Sequence, residues 1–404
     1  MFVRLVAGKR VQTLSVKGDE PVYSANRSSI FARTWSTVWI SACALFLLSA
    51  LAPSALYASK AGGTITTTTT TSSNPWITVS DASQLQTALN SLPASGGTLL
   101  LQNLVASGLS PVSVSQSHVT IRFVNCQLGY AGTGITITGA DDALIGDDST
   151  ALTSGDVAIT LNGATSARIE HLRVVQSGYS AFMITGAATN VRFVDDSATK
   201  YNGLNQTGHA GFFIYGPAIG ILFDHCRTFD GNGNGFRMDS PSVLPSHVRV
   251  VNCDVEKTWG HSSEGITPVG NDIWVVNCRV YKSGATGILA FNGRAGTVFH
   301  NIFIIGNSIG DSSQQIAGNA AIQVNPTSNG IQGVMISNNV AWDDQSSPTS
   351  EVMISLTNGG QSGVIDSLSV TGNVSINQRN QAGISNQMPS ADLTNSSLGL
   401  ASAF

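Results

Sequence analysis

Apolar and polar residues alternate along most of this chain, and the alternation returns as a recognisable phrase. Its plainest copies are VRVVNCDV at 248–255 and IWVVNCRV at 273–280, each closed by a polar residue and a small one. Related copies read VTIRFVNCQL at 119–128, ILFDHCRT at 221–228, FIIGNSI at 303–309, VMISNNVA at 334–341 and LSVTGNVS at 368–375. Aligned on one column, the repeats place Cys126, Asp148, Leu172, Asp196, Cys226, Cys253, Cys278, Asn307, Asn339 and Asn373 in register, 22 to 34 residues apart. A period of this size marks stacked supersecondary units.

A second phrase lies between these copies, for example AITLNG at 158–163, GFRMDS at 235–240 and GILAFNG at 287–293. Each repeat therefore predicts strand, turn, strand, tight turn, short strand and a loop of variable length. The strands alternate with period two, so one face of each is buried. No ten-residue amphipathic helix interrupts them. The solution that buries every inner face is an all-β, single-stranded right-handed parallel β-helix of about ten coils, each covered by its neighbours. SDASQLQTALNSLPASGGTLLL at 80–101 predicts an N-terminal capping helix, with Leu85, Ala88, Leu89 and Leu92 at helical spacing.

The residue before the aligned column is Asn125, Asp147, His171, Asp195, His225, Asn252, Asn277, Gly306, Asn338 or Gly372. These types tolerate a left-handed backbone, which predicts a tight turn there. The column itself, rich in Cys and Asn, is expected to point inward with its polar members hydrogen-bonded from coil to coil. This resembles the asparagine ladder of right-handed parallel β-helices of the pectate-lyase-like superfamily, over roughly residues 76–390. The resemblance implies a saccharide groove formed by the strand of the second phrase and the loops before it.

Four segments are expected: a leader with a signal peptide or membrane anchor at 1–58, a Thr-rich linker at 59–75, the β-helix at 76–390 and a polar tail at 391–404. The one strongly hydrophobic segment, 35–58, follows basic residues and predicts a secreted, periplasmic or cell-surface protein that meets a membrane only through that segment. Residues 1–34 hold six Lys/Arg and two acidic residues, leaving 14 basic and 22 acidic residues, a net charge of −8, in the remainder. Only 11% of the chain is charged, which argues against a nucleic-acid partner, and an acidic body suits metal ions or neutral substrates and repels polyanions unless a local basic site intervenes. Four of the five cysteines fall in the aligned column and are expected as buried packing residues in a monomer.

Chemistry in such a rod belongs on an outward face or in loops. The loops at 196–211, 226–235 and 253–265 carry most of the reactive side chains. Alternation in GFRMDS turns Phe236 and Met238 inward, leaving Arg237 and Asp239 on the surface. The candidate catalytic residues are therefore Asp239, Arg237, His261, Glu264, Lys257 and Asp230. The candidate substrate contacts are Tyr215, Phe213, His209, Trp259 and Phe291. Hydrolysis would use two carboxyl groups, Asp239 with Glu264 or Asp230. A lyase or epimerase would use a base such as His261 or Lys257, with Arg237 or a Ca2+ ion on Asp239 as the stabilising cation. Lys200, Asp230, Lys257 and Lys282 all stand four residues past the column, so they also read as a solvated charge ladder between coils, an equal reading for Lys257 and the stronger one for Lys200 and Lys282. The sequence supports a polysaccharide lyase, epimerase or hydrolase acting on a polymer that can include uronic acids. The alternative is a non-catalytic carbohydrate-binding or adhesive β-helix.

Overall fold

The computed structural model describes residues 66–68, 75–240, 243–260, 263–294, 296–327, 329–380, 383–389, 393–394 and 397–400. Each repeat folds into one turn of a parallel solenoid with three strands. In one coil these are Ser246–Val251, Asp254–Thr258 and Ile266–Thr267; they stack in parallel on Asn271–Val276, Arg279–Ser283 and Ile288–Phe291 of the next. The strands thus form three sheets, here called first, second and third in chain order within a coil. There are about twelve turns against the ten expected. Strands Trp76–Val79 and Gly97–Gln102 precede the first aligned phrase, and Ser397–Leu400 extends the stacking beyond the expected boundary at 390. Thr66–Thr68, within the expected linker, pairs antiparallel with Trp76–Val79.

The expected capping helix is present. Asp81 accepts a hydrogen bond from the Ser83 N–H at 2.9 Å, opening a short 3-10 turn that runs into the helix Leu85–Asn90. Leu85, Ala88, Leu89 and Leu92 are buried against the first coils, covering apolar surface that no preceding coil could cover.

The first bend is where the fold is specified. The residue before the column has φ between 51° and 56° at Asn125, His171, Asp195, His225, Asn252, Asn277 and Asn338, while Gly306 and Gly372 have φ 67° and 65°. The column residue then points inward and serves the neighbouring coil. Asn307 accepts from the Cys278 N–H at 2.9 Å and donates to the Val275 carbonyl at 3.0 Å. Asn339 repeats the pattern on Asn307 and Ile304, and Asn373 on Asn339 and Ile336. The cysteines do half of this work: the Cys253 and Cys278 thiols donate to the Phe223 and Val250 carbonyls of the preceding coil at 3.5 and 3.4 Å. All four column cysteines are free and buried, and burial pushes their thiols up from the ordinary value. Asp196, fully buried, accepts from the Leu172 N–H at 2.8 Å, and burial drives its carboxyl well above the usual range.

One column assignment changes. Asp148 is exposed and Asp147 has no left-handed backbone; instead Asp147 caps a local turn through the Ser149 N–H and Thr150 hydroxyl, and buried Thr150 takes the inward place beneath Cys126. Leu144 stands opposite Ile169, yet Thr150 follows Leu144 by six residues where Leu172 follows Ile169 by three, so this coil holds extra residues at the bend that alternation within the strands does not place.

Asn307→Leu strands the Cys278 N–H and the Val275 carbonyl in a dry interior. Two orphaned buried groups set a loss of about 2–4 kcal/mol in unfolding free energy, to be measured by urea denaturation. Secondary structure before the transition is expected to be unchanged.

Candidate functional site

The third sheet presents its outward residues in register. Phe213, Arg237 and Thr267 stand side by side on successive strands, as do Tyr215 and Asp239. From inside, Phe182, Phe212 and Phe236 stack with ring centroids 4.6 and 4.8 Å apart. Such rings contribute both buried area and a geometric preference, so the backbone beneath Arg237 and Asp239 is firmly held. At this position the outward face opens into a groove of about 870 Å3 whose lining includes Asn234, Arg237, Asp239, Glu264, Phe291 and Arg294.

Asp239 is the hub of the groove. Its Oδ2 lies 3.2 Å from Arg237 and its Oδ1 2.6 Å from Arg294, and the Ser240 N–H also donates to Oδ1 at 2.7 Å. Burial alone would raise this carboxyl, but the hydrogen bonds from Arg294 and Arg237 outweigh it and hold the pKa below the ordinary aspartate value. The Arg237 guanidinium also lies over the Phe213 ring, 5.8 Å from its centroid.

Glu264 lies just before the strand Ile266–Thr267 and is shifted the opposite way. Burial raises its pKa above the ordinary glutamate value, more than Arg237 and Asn234 lower it. Asn234 is buried beside it, donating to the Thr267 hydroxyl while its Oδ1 has no partner among the described residues. The groove thus holds one carboxyl kept ionised and one biased towards its acid form.

The other expected residues divide by position. Phe291 lines the groove, while Tyr215 and Phe213 flank it on the preceding strand. His209 lies further out: its Nδ1 is 3.2 Å from the Ser180 hydroxyl, its ring is 4.6 Å from Tyr179, and burial followed by the nearby Arg237 charge lowers its pKa. Asp230 and Lys257 belong to the second sheet and do not join this cluster. Their φ values of 55° and 57°, with 48° at Lys200 and 58° at Lys282, make the column-plus-four row a second left-handed bend. Lys257 rests its ammonium 4.8 Å from the Phe229 centroid. Trp259 follows the second sheet, its N–H bonded to the Gly231 carbonyl at 2.7 Å, and it is not among the groove residues. His261 lies outside the described residues.

Arg294 was absent from the expectations because the repeated phrase GILAFNG ends at 293, one residue before it. It reaches the hub across 55 residues of sequence. The Asn292 side chain holds this loop, accepting from the Arg294 N–H at 3.1 Å and donating to the Thr297 and Gly330 carbonyls at 2.8 Å each. A buried Asn in an Asn-Gly turn was the available signal. Calcium does not fit at Asp239, whose oxygens already accept from two guanidinium groups, and no group of three His, Cys, Asp or Glu suited to a metal occurs among the described residues.

No family model and no curated protein sequence matches the chain. Solved structures do. An endo-xylogalacturonan hydrolase from Aspergillus tubingensis aligns with TM-score 0.59 and 14% identity, covering 81% of this chain and 100% of that one. The A-module of a mannuronan C-5 epimerase from Azotobacter vinelandii aligns with TM-score 0.55 and 16% identity, covering 80% and 96%. An alginate lyase from a Paenibacillus species aligns with TM-score 0.52 and 16% identity, covering 79% and 99%. The chain therefore has the right-handed parallel β-helix fold, and its structural neighbours include polysaccharide hydrolases, epimerases and lyases.

Because the folded pKa of Asp239 is depressed, its stabilisation is present above the unfolded value of about 3.9 and fades as pH falls through the folded value. Wild type is expected to exceed Asp239→Asn by about 1–2 kcal/mol at neutral pH. Urea midpoints measured across the acid range should show that gap closing. A constant gap would contradict the ionised triad.

Proposed function

We propose that this protein hydrolyses glycosidic bonds in an acidic, uronate-containing polysaccharide laid across the third sheet, and that it does so outside the cytoplasm. The observation that carries the reading is the pair of groove carboxyls with opposite pKa shifts, Asp239 down and Glu264 up. Environments that push two carboxyls apart divide the acid and base roles between them. Glu264 gives its proton to the glycosidic oxygen as the bond to the anomeric carbon breaks. Water attacks that carbon, and Asp239 takes the proton that the water releases. A carboxylate has about four acceptor positions, and three of those on Asp239 are filled by Arg294, Ser240 and Arg237, leaving one for water.

Charge selects the substrate class. With Glu264 protonated, Arg237 and Arg294 together exceed Asp239 by one positive charge, in a body whose overall charge is negative. A sugar carboxylate offers what planar guanidinium groups bind best. Neutral sugars would leave that excess unanswered. The hydrophobic segment at 35–58, outside the described residues, supports export to where such polymers are found.

Elimination or epimerisation has a weaker claim. His209, whose pKa is lowered by burial and by the Arg237 charge, could act as a base, but it is not among the residues that line the groove. Lys257 faces another sheet. A binding-only protein would have no need of two carboxyls with divided protonation.

Digestion of pectic and other uronate polymers, followed by mass spectrometry, tests the reaction class. Fragments carrying one added water are expected; unsaturated ends would replace hydrolysis with elimination, and intact chains would favour the binding protein. Glu264→Gln is expected to lower kcat about 10²–10⁴-fold. Activity of the wild type should fall as pH rises through the raised Glu264 pKa, and as it drops through the lowered Asp239 pKa.

A further inference from the structure

We infer that the outer face of the first sheet is a second binding surface for a stretch of acidic polysaccharide, separate from the groove of the third sheet. The ligand class rests on the substrate class proposed above; the surface stands on its own geometry.

Six outward positions on successive first-sheet strands fall in one register: Arg168, Arg192, Leu222, Arg249, Trp274 and Phe303. Strand stacking spaces neighbours by about 4.8 Å, so the row runs along the solenoid axis. Its basic part lines a groove of about 520 Å3. Arg168 is tied to Glu170 at 3.1 Å, whereas Arg192 and Arg249 are exposed and pair with no carboxylate among the described residues.

Like charges stacked across strands destabilise a sheet, and opposite charges stabilise it. The second sheet obeys that rule: Arg227, Asp254 and Arg279 alternate in register and bond to one another. The first sheet does not, although the body of the chain has eight more acidic than basic residues. Two of the row's three arginines, Arg192 and Arg249, lack an internal counter-charge among the described residues, and an external anion completes the row.

The row also says what kind of anion. Beside Arg249, the Trp274 and Phe303 rings stack with centroids 4.0 Å apart and planes 24° apart, both partly exposed. A flat aromatic platform packs against the face of a sugar ring, and guanidinium groups pair with carboxylates. A chain of uronic acids presents both features repeatedly along one line. A second copy of this protein would bring one positive row against another.

Affinity electrophoresis of the full chain through gels containing polygalacturonate, with dextran as the neutral control, tests the assignment. Wild type and Glu264→Gln are expected to be retarded alike by polygalacturonate and not by dextran. Arg192→Gln with Arg249→Gln should weaken retention at least tenfold, and Trp274→Ala should also weaken it, while hydrolysis of short oligouronates stays at the wild-type rate. Equal retention of wild type and the double variant, with polymer cleavage intact, overturns the second surface alone. Wild type that is neither retained nor active on any uronate overturns both readings. Retention by dextran, or a change in sedimentation of the double variant that traces the row to self-association, overturns the ligand assigned here.

Discussion

A solenoid must turn its backbone through a bend in every coil without leaving polar groups stranded in a dry interior. In this protein the first bend meets that constraint by pairing a left-handed residue with an inward side chain that bonds across coils. Asn fills the position most completely, because one amide both accepts a backbone N–H and donates to a carbonyl. Cys offers a single weak donor in less volume. Asp196 accepts but is driven towards its neutral form by burial, so it approximates an amide. The same inward column therefore serves several residue types with one geometry.

Stacking at that bend propagates to the outer faces. Once the coils are in register, every outward side chain has a defined neighbour above and below it. That is how Arg237 comes to stand beside Phe213 and Asp239 beside Tyr215. It is equally how Arg168, Arg192 and Arg249 come to share a line on the first sheet. A ladder interior is indifferent to what these outward residues are, so charge can be placed on them with little effect on the core. The groove uses this freedom twice, gathering two arginines around one aspartate on an otherwise acidic protein. Glu264 and Arg294 come instead from the loops that enter and leave the third sheet, where coil length varies.

Much of the architecture was legible in the residues. Period-two alternation exposes which side of each strand is buried, and it set Phe236 and Met238 inward and Arg237 and Asp239 outward, as the structure has them. The left-handed types before the column marked the bend at nine of ten coils, and the exception, Asp147, shows the limit. Extra residues at that bend move Thr150 into the place expected for Asp148, and alternation within the strands does not place them. Lys257 and Asp230 were ambiguous for a similar reason: side chains that look reactive in a loop were serving a second left-handed bend.

Local pattern thus settled the repeat, the cap, the inward column and the facing of each strand, because each depends on neighbours close in sequence or one period away. It could not settle which loops meet. Arg294 reaches Asp239 only after two further coils have been laid down, and the opposing shifts of Asp239 and Glu264 arise from burial and charge contributed by separate turns. Loop lengths between repeats are unequal, so no period predicts those meetings. Electrostatics acts through space, and in a solenoid the distance along the chain between two groups says little about it.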